Sequence, residues 1–355
     1  MPPKAVHGGL KPGELRQLGL TAGELIDFSA SINPLGPPHE IWEAMARVDL
    51  SAYPDPECLL LREALSSMLG VRIECITIGN GSTELIHLLA RACLSGEDKA
   101  IIFSPTFGEY EAACRLTGAT VLYLEARERE GFLWDLDYAC QLIREKEPRL
   151  VFLCNPNNPT GVLLPQRPDV HRLAEAMGTN GLLVVDEAYL SFVDGAEESS
   201  PGLLGLGNLV VLRSMTKDYA LTGLRLGYAV ASEEVSRLLR AYQPGWSVNS
   251  LAQAAGLAAL SNQEHLARAR ECVRQVKGYL QRELGVLGLK VGPSAANFLL
   301  IDVGDAASVR ARLLRRGVCV RDCTSFGLPR HIRVGIRTIP DCQRLVKSLS
   351  ELVVT

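Results

Sequence analysis

The chain has 355 residues, of which 47% are hydrophobic and 22% charged, and its formal net charge at pH 7 is -3. This is globular composition, and the lack of a basic excess argues against nucleic acid as a partner. We find no run of about 18 apolar residues that could span a membrane, and no apolar secretion signal at the N-terminus. The length predicts two unequal domains, and we expect a cytoplasmic protein.

The ten cysteines are scattered along the chain. The closest pair, Cys319 and Cys323, lies four residues apart and has no second pair to complete a tetrahedral metal site. We therefore predict free thiols in a reducing compartment and no bound metal.

Helical and strand patterns alternate along most of the chain. Residues 1–40 contain many glycines and prolines, so we expect an irregular arm there. Helical patterns follow at 59–69, which ends at Gly70, and at 82–94. Short runs of Val, Ile and Leu then predict strands buried on both faces of a mostly parallel sheet. They lie at 100–103, 121–124, 150–154, 182–185, 210–212 and 227–231.

Helical patterns at 136–146 and 170–177 separate several of these strand candidates, which favours an α/β architecture. The alternation of short strands and helices ends after about Trp246. The later candidates are a long helix at 264–284, strands at 298–302, 318–321 and 332–336, and a closing helix at 341–353. We predict an N-terminal arm (1–40), a large α/β domain with three layers (41–245) and a smaller α+β domain (246–355).

Lys217 follows one of the buried strand candidates and precedes a glycine-rich turn. A partly desolvated amine at a strand end has a lowered pKa and can attack an aldehyde. Ser214 lies three residues before it and Arg225 eight residues after it. A hydroxyl and a guanidinium on either side of an amine suit a phosphate group.

Asp186 ends another apolar strand candidate, where ligands bind in open α/β sheets. A carboxylate there can keep a pyridine nitrogen protonated, which makes the ring an electron sink. Tyr189, three residues later, can donate to an oxygen on such a ring.

Three further segments follow strand candidates or lead into a helix. The segment 155–161, with two prolines, can fix the amide of Asn158 at one point. The glycine-rich segment 79–84 leads into a helix N-terminus, which favours an anion. Phe107 follows a strand and can stack on a flat ring.

Each signal has a plain structural explanation when taken alone, such as a surface lysine, a helix N-cap, an ordinary loop or a core aromatic. Together, however, they supply partners for the phosphate, the ring and the aldehyde of one cofactor. The sequence resembles the fold-type-I pyridoxal 5'-phosphate (PLP) enzymes of the class I/II aminotransferase group over essentially its whole length. The segments 155–161 and 214–225 carry this resemblance most specifically.

The resemblance implies a role for each of these positions. Lys217 would form the Schiff base with PLP, Asp186 would pair with the ring nitrogen, and Phe107 would stack on the ring. Asn158 and Tyr189 would hold the ring oxygen. The implied phosphate-binding residues are Gly81, Ser82, Thr83, Ser214, Thr216 and Arg225.

Tyr53, in the segment 53–56, resembles a family tyrosine that reaches the phosphate of a partner subunit. This implies a homodimer with shared active sites. The plain alternative is that Tyr53 is an ordinary turn residue.

Four flanking segments resemble the threonine-phosphate decarboxylase branch of the family: 7–9, 27–36, 320–323 and 333–338. A phosphorylated amino acid carries two anions, so it needs a second cationic clamp. The predicted substrate contacts are His7, Gly8, Asn33, Asn158, Arg321, Arg333 and Arg337. We expect Arg333 and Arg337 on one face of one strand. A solvated surface for Arg321 and Arg337, and a disordered terminus for His7, are the plain alternatives.

Three functions remain open at this point. The first is decarboxylation of L-threonine O-3-phosphate to aminopropanol phosphate, a step of cobalamin synthesis. The second is transamination of histidinol phosphate, since histidinol-phosphate aminotransferases share the cofactor motifs, and only the pose of the substrate separates the two reactions. The third, a PLP-binding regulatory module, lacks a visible DNA-binding segment.

Overall fold

The computed structural model describes residues 5–164, 169–195 and 205–353. Across these ranges the strands are β1 Ile26–Asp27, β2 Ile76–Gly79, β3 Lys99–Ser104, β4 Thr120–Glu125, β5 Leu150–Cys154, β6 Leu182–Asp186, β7 Leu209–Ser214, β8 Gly227–Val230, β9 Lys290–Val291, β10 Phe298–Asp302, β11 Val318–Cys319, β12 Arg321–Asp322 and β13 His331–Gly335. The α-helices are α1 Pro12–Leu18, α2 His39–Ala46, α3 Leu59–Leu69, α4 Gly81–Cys93, α5 Glu109–Leu116, α6 Leu136–Lys146, α7 His171–Met177, α8 Met215–Asp218, α9 Glu233–Tyr242, α10 Ser250–Leu260, α11 Gln263–Val286, α12 Ala306–Leu314 and α13 Ile339–Val353.

The central sheet has seven strands in the order β2-β8-β7-β6-β5-β3-β4. Only β8 runs against its neighbours, so the sheet is mostly parallel, as predicted. Its inner strands are apolar along their length because helices cover both faces. One core cluster packs α4, α5 and α9 on one face, and a second packs α6 and α7 on the other. The predicted three-layer α/β fold is confirmed.

A four-stranded sheet in the order β12-β13-β10-β9 lies in the C-terminal part of the chain. Apolar faces of α11 and α13 pack on it to form a separate core cluster. Helix α10 belongs instead with α2 and α3, whose apolar residues share its cluster. The domain boundary at 245/246 stays a prediction. Within the described residues, none of the helices is both long and apolar enough to cross a membrane.

The predicted strand 318–321 is wrong as one element. The structure divides it into β11, which pairs in parallel with β1, and β12, which pairs with β13 in another sheet. The N-terminal segment supplies β1. Because β11 pairs with this distant strand and β12 pairs with β13, the chain passes from one sheet to the other at Val320. Local patterning contains no information on such a partner.

The arm is also more regular than predicted. Helix α1 begins with a proline in its first turn, and Gly19 ends it with a left-handed φ of 67°. Leu15 is buried against Leu314 and Cys319. A single buried leucine in a seven-residue helix gives too little periodicity to be recognised in the sequence.

Candidate active site

A cavity of about 790 Å³ opens at the carboxyl ends of the parallel strands of the central sheet. Segments that follow β2, β3, β5, β6 and β7 each contribute side chains to its walls. Carboxyl ends of parallel strands meet at one edge of a sheet, which is where open α/β folds bind ligands. The N-terminal arm and β12–β13 close the cavity from the other side.

Lys217 lies in this cavity on the short helix α8, directly after β7. Burial lowers the pKa of its amine to about 8, and the nearby guanidinium groups of Arg333 and Arg225 act in the same direction. Its carbonyl oxygen accepts a hydrogen bond from the backbone N–H of Asn33 at 3.0 Å, which fixes the short helix. A substantial fraction of the amine is therefore uncharged and nucleophilic at mildly alkaline pH.

Asp186 ends β6 and is almost fully buried. Burial raises the pKa of its carboxyl group, while two donors lower it. The hydroxyl of Tyr110 donates to Oδ2 at 2.7 Å, and the backbone N–H of Ala188 donates to Oδ1 at 3.0 Å. A carboxylate held in this way suits the protonated nitrogen of a pyridine ring.

Asn158 and Tyr189 are two polar side chains that offer hydrogen-bond donors to the cavity. The side-chain oxygen of Asn158 accepts a hydrogen bond from Arg333, so its amide N–H groups are the part left for a ligand. Burial raises the pKa of Tyr189 to about 12, which keeps its hydroxyl protonated. Both side chains line the cavity.

An anion-binding corner forms where α4 begins. Gly81 has a left-handed φ of 75°, and a Cβ atom there would lie 2.6 Å from Nη2 of Arg225, so only glycine fits. The first backbone N–H groups of α4 have no partner within the helix and favour an anion. The hydroxyls that line the cavity around this corner belong to Ser82, Thr83, Ser214 and Thr216.

The hydroxyls of Ser214 and Thr216 lie 2.5 Å apart. Partial burial lowers the pKa of Arg225, and among the described residues no carboxylate forms an ion pair with it. Arg225 also adopts a left-handed φ of 60°, an uncommon conformation that is typical of functional sites. A cation that lines the cavity, free helix N–H groups and hydroxyls are the donor set that a phosphate monoester requires, so the residues fit PLP.

The N-terminal arm lies across the cavity. The backbone N–H of Gly9 donates to Oγ of Ser29 at 2.7 Å, and a Cβ atom on Gly8 would lie only 2.3 Å from the Ser29 carbonyl oxygen. Nε2 of His7 lies 2.6 Å from a carboxylate oxygen of Glu109. The His7 ring is 5.7 Å from that of Phe107, the aromatic residue expected to cover the cofactor.

Two buried arginines line the wall opposite the sheet. Arg321 on β12 and Arg333 on β13 are direct cross-strand neighbours, and they are only 7% and 5% exposed. Arg321 donates to the carbonyl oxygen of Val6 and to Oγ of Ser325. Arg333 donates to Asn158 and to the carbonyl oxygen of Ser29, and its Nε has no partner. Among the described residues, neither guanidinium pairs with a carboxylate.

Four predicted site residues do not line the cavity, and one of them, Gly81, lies behind it at the start of α4. Asn33 is buried behind it, where its amide donates to the carbonyl oxygen of Asp218 at 2.7 Å. Tyr53 is 80% exposed and stacks on Trp246. Arg337 contacts Asp341 and the carbonyl oxygen of residue 27 instead.

The expectation that Arg333 and Arg337 share one strand is wrong. Strand β13 ends at Gly335, and helix α13 begins at Ile339, so Arg337 lies in the turn between them. The pairing of β13 with β10 stops at the same point, because Phe298 opposite Gly335 is the first residue of β10. Beyond the end of the ladder, the alternation of side chains that the prediction assumed no longer applies.

Sequence reasoning missed several residues that line the cavity. They include Tyr110, Cys154, Thr222 and Phe326. Tyr110 comes three residues after Phe107, one turn further on, and that spacing is the signal that could have indicated it. Phe326 gave no signal, because it lies in a loop near Arg321 that only the fold brings to the site.

Comparison with known proteins agrees with this geometry. The family model for aminotransferase class I and II matches residues 23–349. A histidinol-phosphate aminotransferase of Symbiobacterium thermophilum is 39% identical, over 96% of this chain and 93% of its own length. A Caldanaerobacter subterraneus protein named "Putative threonine-phosphate decarboxylase" is 36% identical, over 97% of this chain and 96% of its own.

A solved structure has the same fold. The histidinol-phosphate aminotransferase of Sinorhizobium meliloti in complex with PLP superimposes with a TM-score of 0.87 at 24% identity, over 98% of this chain and 95% of that one. The cavity described above has the donor set that this cofactor needs. The chain belongs to the class I and II aminotransferase family of PLP-dependent enzymes.

Proposed function

We propose that this enzyme decarboxylates O-phospho-L-threonine to aminopropanol phosphate, with PLP bound through Lys217. The observation that carries the proposal is the pair of buried arginines, Arg321 and Arg333, which oppose each other across two strands. Like charges directly opposite on a sheet destabilise it, and unpaired buried cations cost still more. Both costs are offset when an anionic ligand enters the cavity.

The charge pattern favours a substrate with two anions. The phosphate-binding corner at Arg225 is separate from the arginine pair, so the cofactor phosphate does not use Arg321 or Arg333 in this proposal. A phosphorylated amino acid would bring a carboxylate and a phosphate to that second cationic region, with His7 of the arm nearby. Unphosphorylated threonine would bring only its carboxylate, so it could pair with only one of the two arginines.

Each proposed role follows from the geometry of one residue. PLP, when bound, supplies an electron sink for the pair left at Cα after a bond breaks. Asp186 holds the proton on the ring nitrogen, and Tyr189 and Asn158 donate to the ring oxygen. Arg321 and Arg333 hold the substrate so that its Cα–carboxylate bond is perpendicular to the ring plane. The Cα–carboxylate bond would break with loss of CO2, and Lys217 in its protonated, ammonium form would donate the proton that replaces the carboxylate on Cα.

Transamination is the second candidate, and the histidinol-phosphate aminotransferases among the relatives favour it. In that reaction Lys217 would remove the Cα proton of histidinol phosphate and deliver it to the cofactor carbon. Histidinol phosphate has no carboxylate, so it would leave one of the two arginines unpaired. The paired arginines therefore favour the decarboxylase.

We also propose a homodimer. The mutually packed helices α2, α3 and α10 and the adjoining loops carry several exposed large apolar side chains. These are Trp42, Leu50, Tyr53, Leu60 and Trp246. An exposed apolar patch of this kind is typical of a protein interface. In this dimer Tyr53 would reach the cofactor phosphate of the partner subunit. The ten free cysteines favour a reducing, cytoplasmic location.

The test is a product assay on PLP-loaded enzyme. One tube contains O-phospho-L-threonine without a keto acid, and a parallel tube contains histidinol phosphate with 2-oxoglutarate. We expect CO2 and an equal amount of aminopropanol phosphate in the first tube, and little amino transfer in the second. Lys217→Ala is the negative control. Amino transfer without any CO2 would replace the decarboxylase by the aminotransferase.

A further inference from the structure

Tyr110 connects two parts of the site that sequence analysis treated separately. It lies in the first turn of α5 and is fully buried. Its ring stacks on Phe152 at 5.0 Å, with an interplanar angle of 11°, and meets Phe107 edge to face at 5.7 Å. The ring is therefore fixed by packing that does not involve its hydroxyl.

The hydroxyl of Tyr110 donates a hydrogen bond to Oδ2 of Asp186 at 2.7 Å. The other carboxylate oxygen accepts from the backbone N–H of Ala188 at 3.0 Å. Asp186 thus has one donor on each oxygen. Because a buried carboxylate is easily protonated, these two donors decide whether Asp186 remains an anion.

The direction of the hydrogen bond is fixed. Burial and the negative charge of Asp186 both raise the pKa of Tyr110 well above its usual value. The phenol therefore stays protonated and donates to the carboxylate, which has no proton to give when it is ionised. Charge-assisted bonds of this kind are stronger than neutral ones.

We propose that Tyr110 is a positioning residue whose hydroxyl holds the Asp186 carboxylate ionised and aimed at the ring nitrogen of PLP. Through Asp186 it sets how strongly that nitrogen holds its proton, and so how well the ring accepts electrons from Cα. The inference rests on the proposed role of Asp186. It does not depend on whether the reaction is decarboxylation or transamination, because both need the same electron sink.

The test is Tyr110→Phe, which keeps the stacked ring and removes one oxygen. The first readout is a pH titration of the absorbance of bound PLP without substrate. A less protonated ring nitrogen withdraws less electron density from the Schiff base with Lys217. We therefore expect the midpoint of the titration to move to higher pH. We also expect kcat to fall about tenfold to a hundredfold, the effect of losing a hydrogen bond to a charged group.

Two further measurements separate positioning from a general loss of structure. Tyr279→Phe removes a hydroxyl from a half-buried tyrosine of α11 that is outside the cavity, and should leave the titration unchanged. In an Asp186→Asn background, Tyr110→Phe should no longer shift the midpoint, because the residue acts through the carboxylate. The same shift in both backgrounds, or an unchanged midpoint in the single variant with kcat within about twofold, would overturn the proposal. The titration contains no substrate, so its result can be interpreted even if the decarboxylase assay fails.

Discussion

At the scale of single residues, the main feature of the cavity is its excess of positively charged side chains. Lys217, Arg225, Arg321 and Arg333 all line one cavity, and burial lowers the pKa of the first three. Desolvation of cations is costly unless anions compensate it. In the proposed function, the cofactor phosphate and a substrate with two anionic groups provide this compensation.

The lowered pKa of Lys217 predicts how the apoenzyme takes up its cofactor. Only the uncharged amine attacks an aldehyde, and in the folded protein this form accumulates above pH of about 8 instead of above the usual 10.5. The rate of PLP incorporation should therefore rise with pH to a plateau whose midpoint is near 8. Stopped-flow absorbance measures this rate, and Lys217→Ala is the control. A midpoint near 10 would show that the amine is not desolvated.

The two arginines at 333 and 337 form a matched pair of tests. Arg333→Lys removes a planar, bidentate cation from the cavity, so KM for O-phospho-L-threonine should rise about tenfold to a hundredfold. Arg337→Lys changes a residue paired with Asp341 outside the cavity, and its KM should stay within about twofold of the parent. Steady-state kinetics on both variants measures the two KM values. Equal effects would mean that Arg337 reaches the substrate after all.

Most of the site chemistry could be predicted at this scale, because cofactor contacts follow directly after strands. Asp186, Asn158 and Lys217 are each within a few residues of a strand end, so local pattern places them at the sheet edge. Tyr110 was missed although its spacing from Phe107 was a signal, and Phe326 could not be predicted, since only the folded chain brings it to the cavity. Arg337 was misplaced because the end of β13 is set by its partner strand.

At the scale of elements, the N-terminal arm is attached by few but specific contacts. Glu109 holds His7 on one carboxylate oxygen and His87 on the other, at 2.6 and 2.8 Å. The arm also receives a hydrogen bond from Arg321 to the carbonyl oxygen of Val6. These contacts link the arm to α4, α5 and the small sheet, so its position depends on all three.

Removal of the charge at Glu109 should loosen the arm without disturbing the chemistry. We expect Glu109→Gln to raise KM for the phosphorylated substrate about twofold to fivefold, with kcat almost unchanged, because partly exposed ion pairs are weak. The N-terminal residues should also become more susceptible to limited proteolysis. Glu111→Gln, on the same helix but paired with Arg115, is the matched control. A similar effect from the control would exclude a specific role for Glu109.

Helices and strands could be predicted from the sequence where packing imposes a regular spacing of apolar residues. Strands β5, β6 and β7 are apolar on both faces, and α3 and α6 begin and end where the sequence indicates. Helix α10 has no such period, because it consists largely of alanine and other small or apolar residues. Strand β2 was missed because Thr77 interrupts its apolar residues and Gly79 ends it, so it contains no continuous run of Val, Ile and Leu.

At the scale of the whole molecule, we propose that a dimer completes the site. Tyr53 does not line the cavity of its own chain and stacks instead on Trp246, with ring centroids 4.8 Å apart. Exposed aromatic side chains that cluster on one face are typical centres of interfaces. We expect each cavity to gain its last phosphate contact from the partner subunit.

A charge placed on this face should separate the subunits. Trp246→Glu should weaken the dimer at least about tenfold and lower PLP affinity with it, because a buried unpaired charge disrupts an interface. Leu116→Glu, at an exposed leucine on the far end of α5, is the control and should remain dimeric. Sedimentation velocity over a concentration series measures both. A parent protein that sediments as a monomer at every concentration would contradict the dimer.

The central claim is that this cavity breaks the Cα–carboxylate bond of a phosphorylated amino acid. A single turnover of excess PLP-loaded enzyme with carboxyl-labelled O-phospho-L-threonine, without a keto acid, tests it most directly. We predict that the label leaves as CO2, one equivalent per substrate, and that the absorbance of the bound cofactor returns to that of PLP. Label retained in a keto acid, with the cofactor left in its amino form, would contradict the account and identify an aminotransferase.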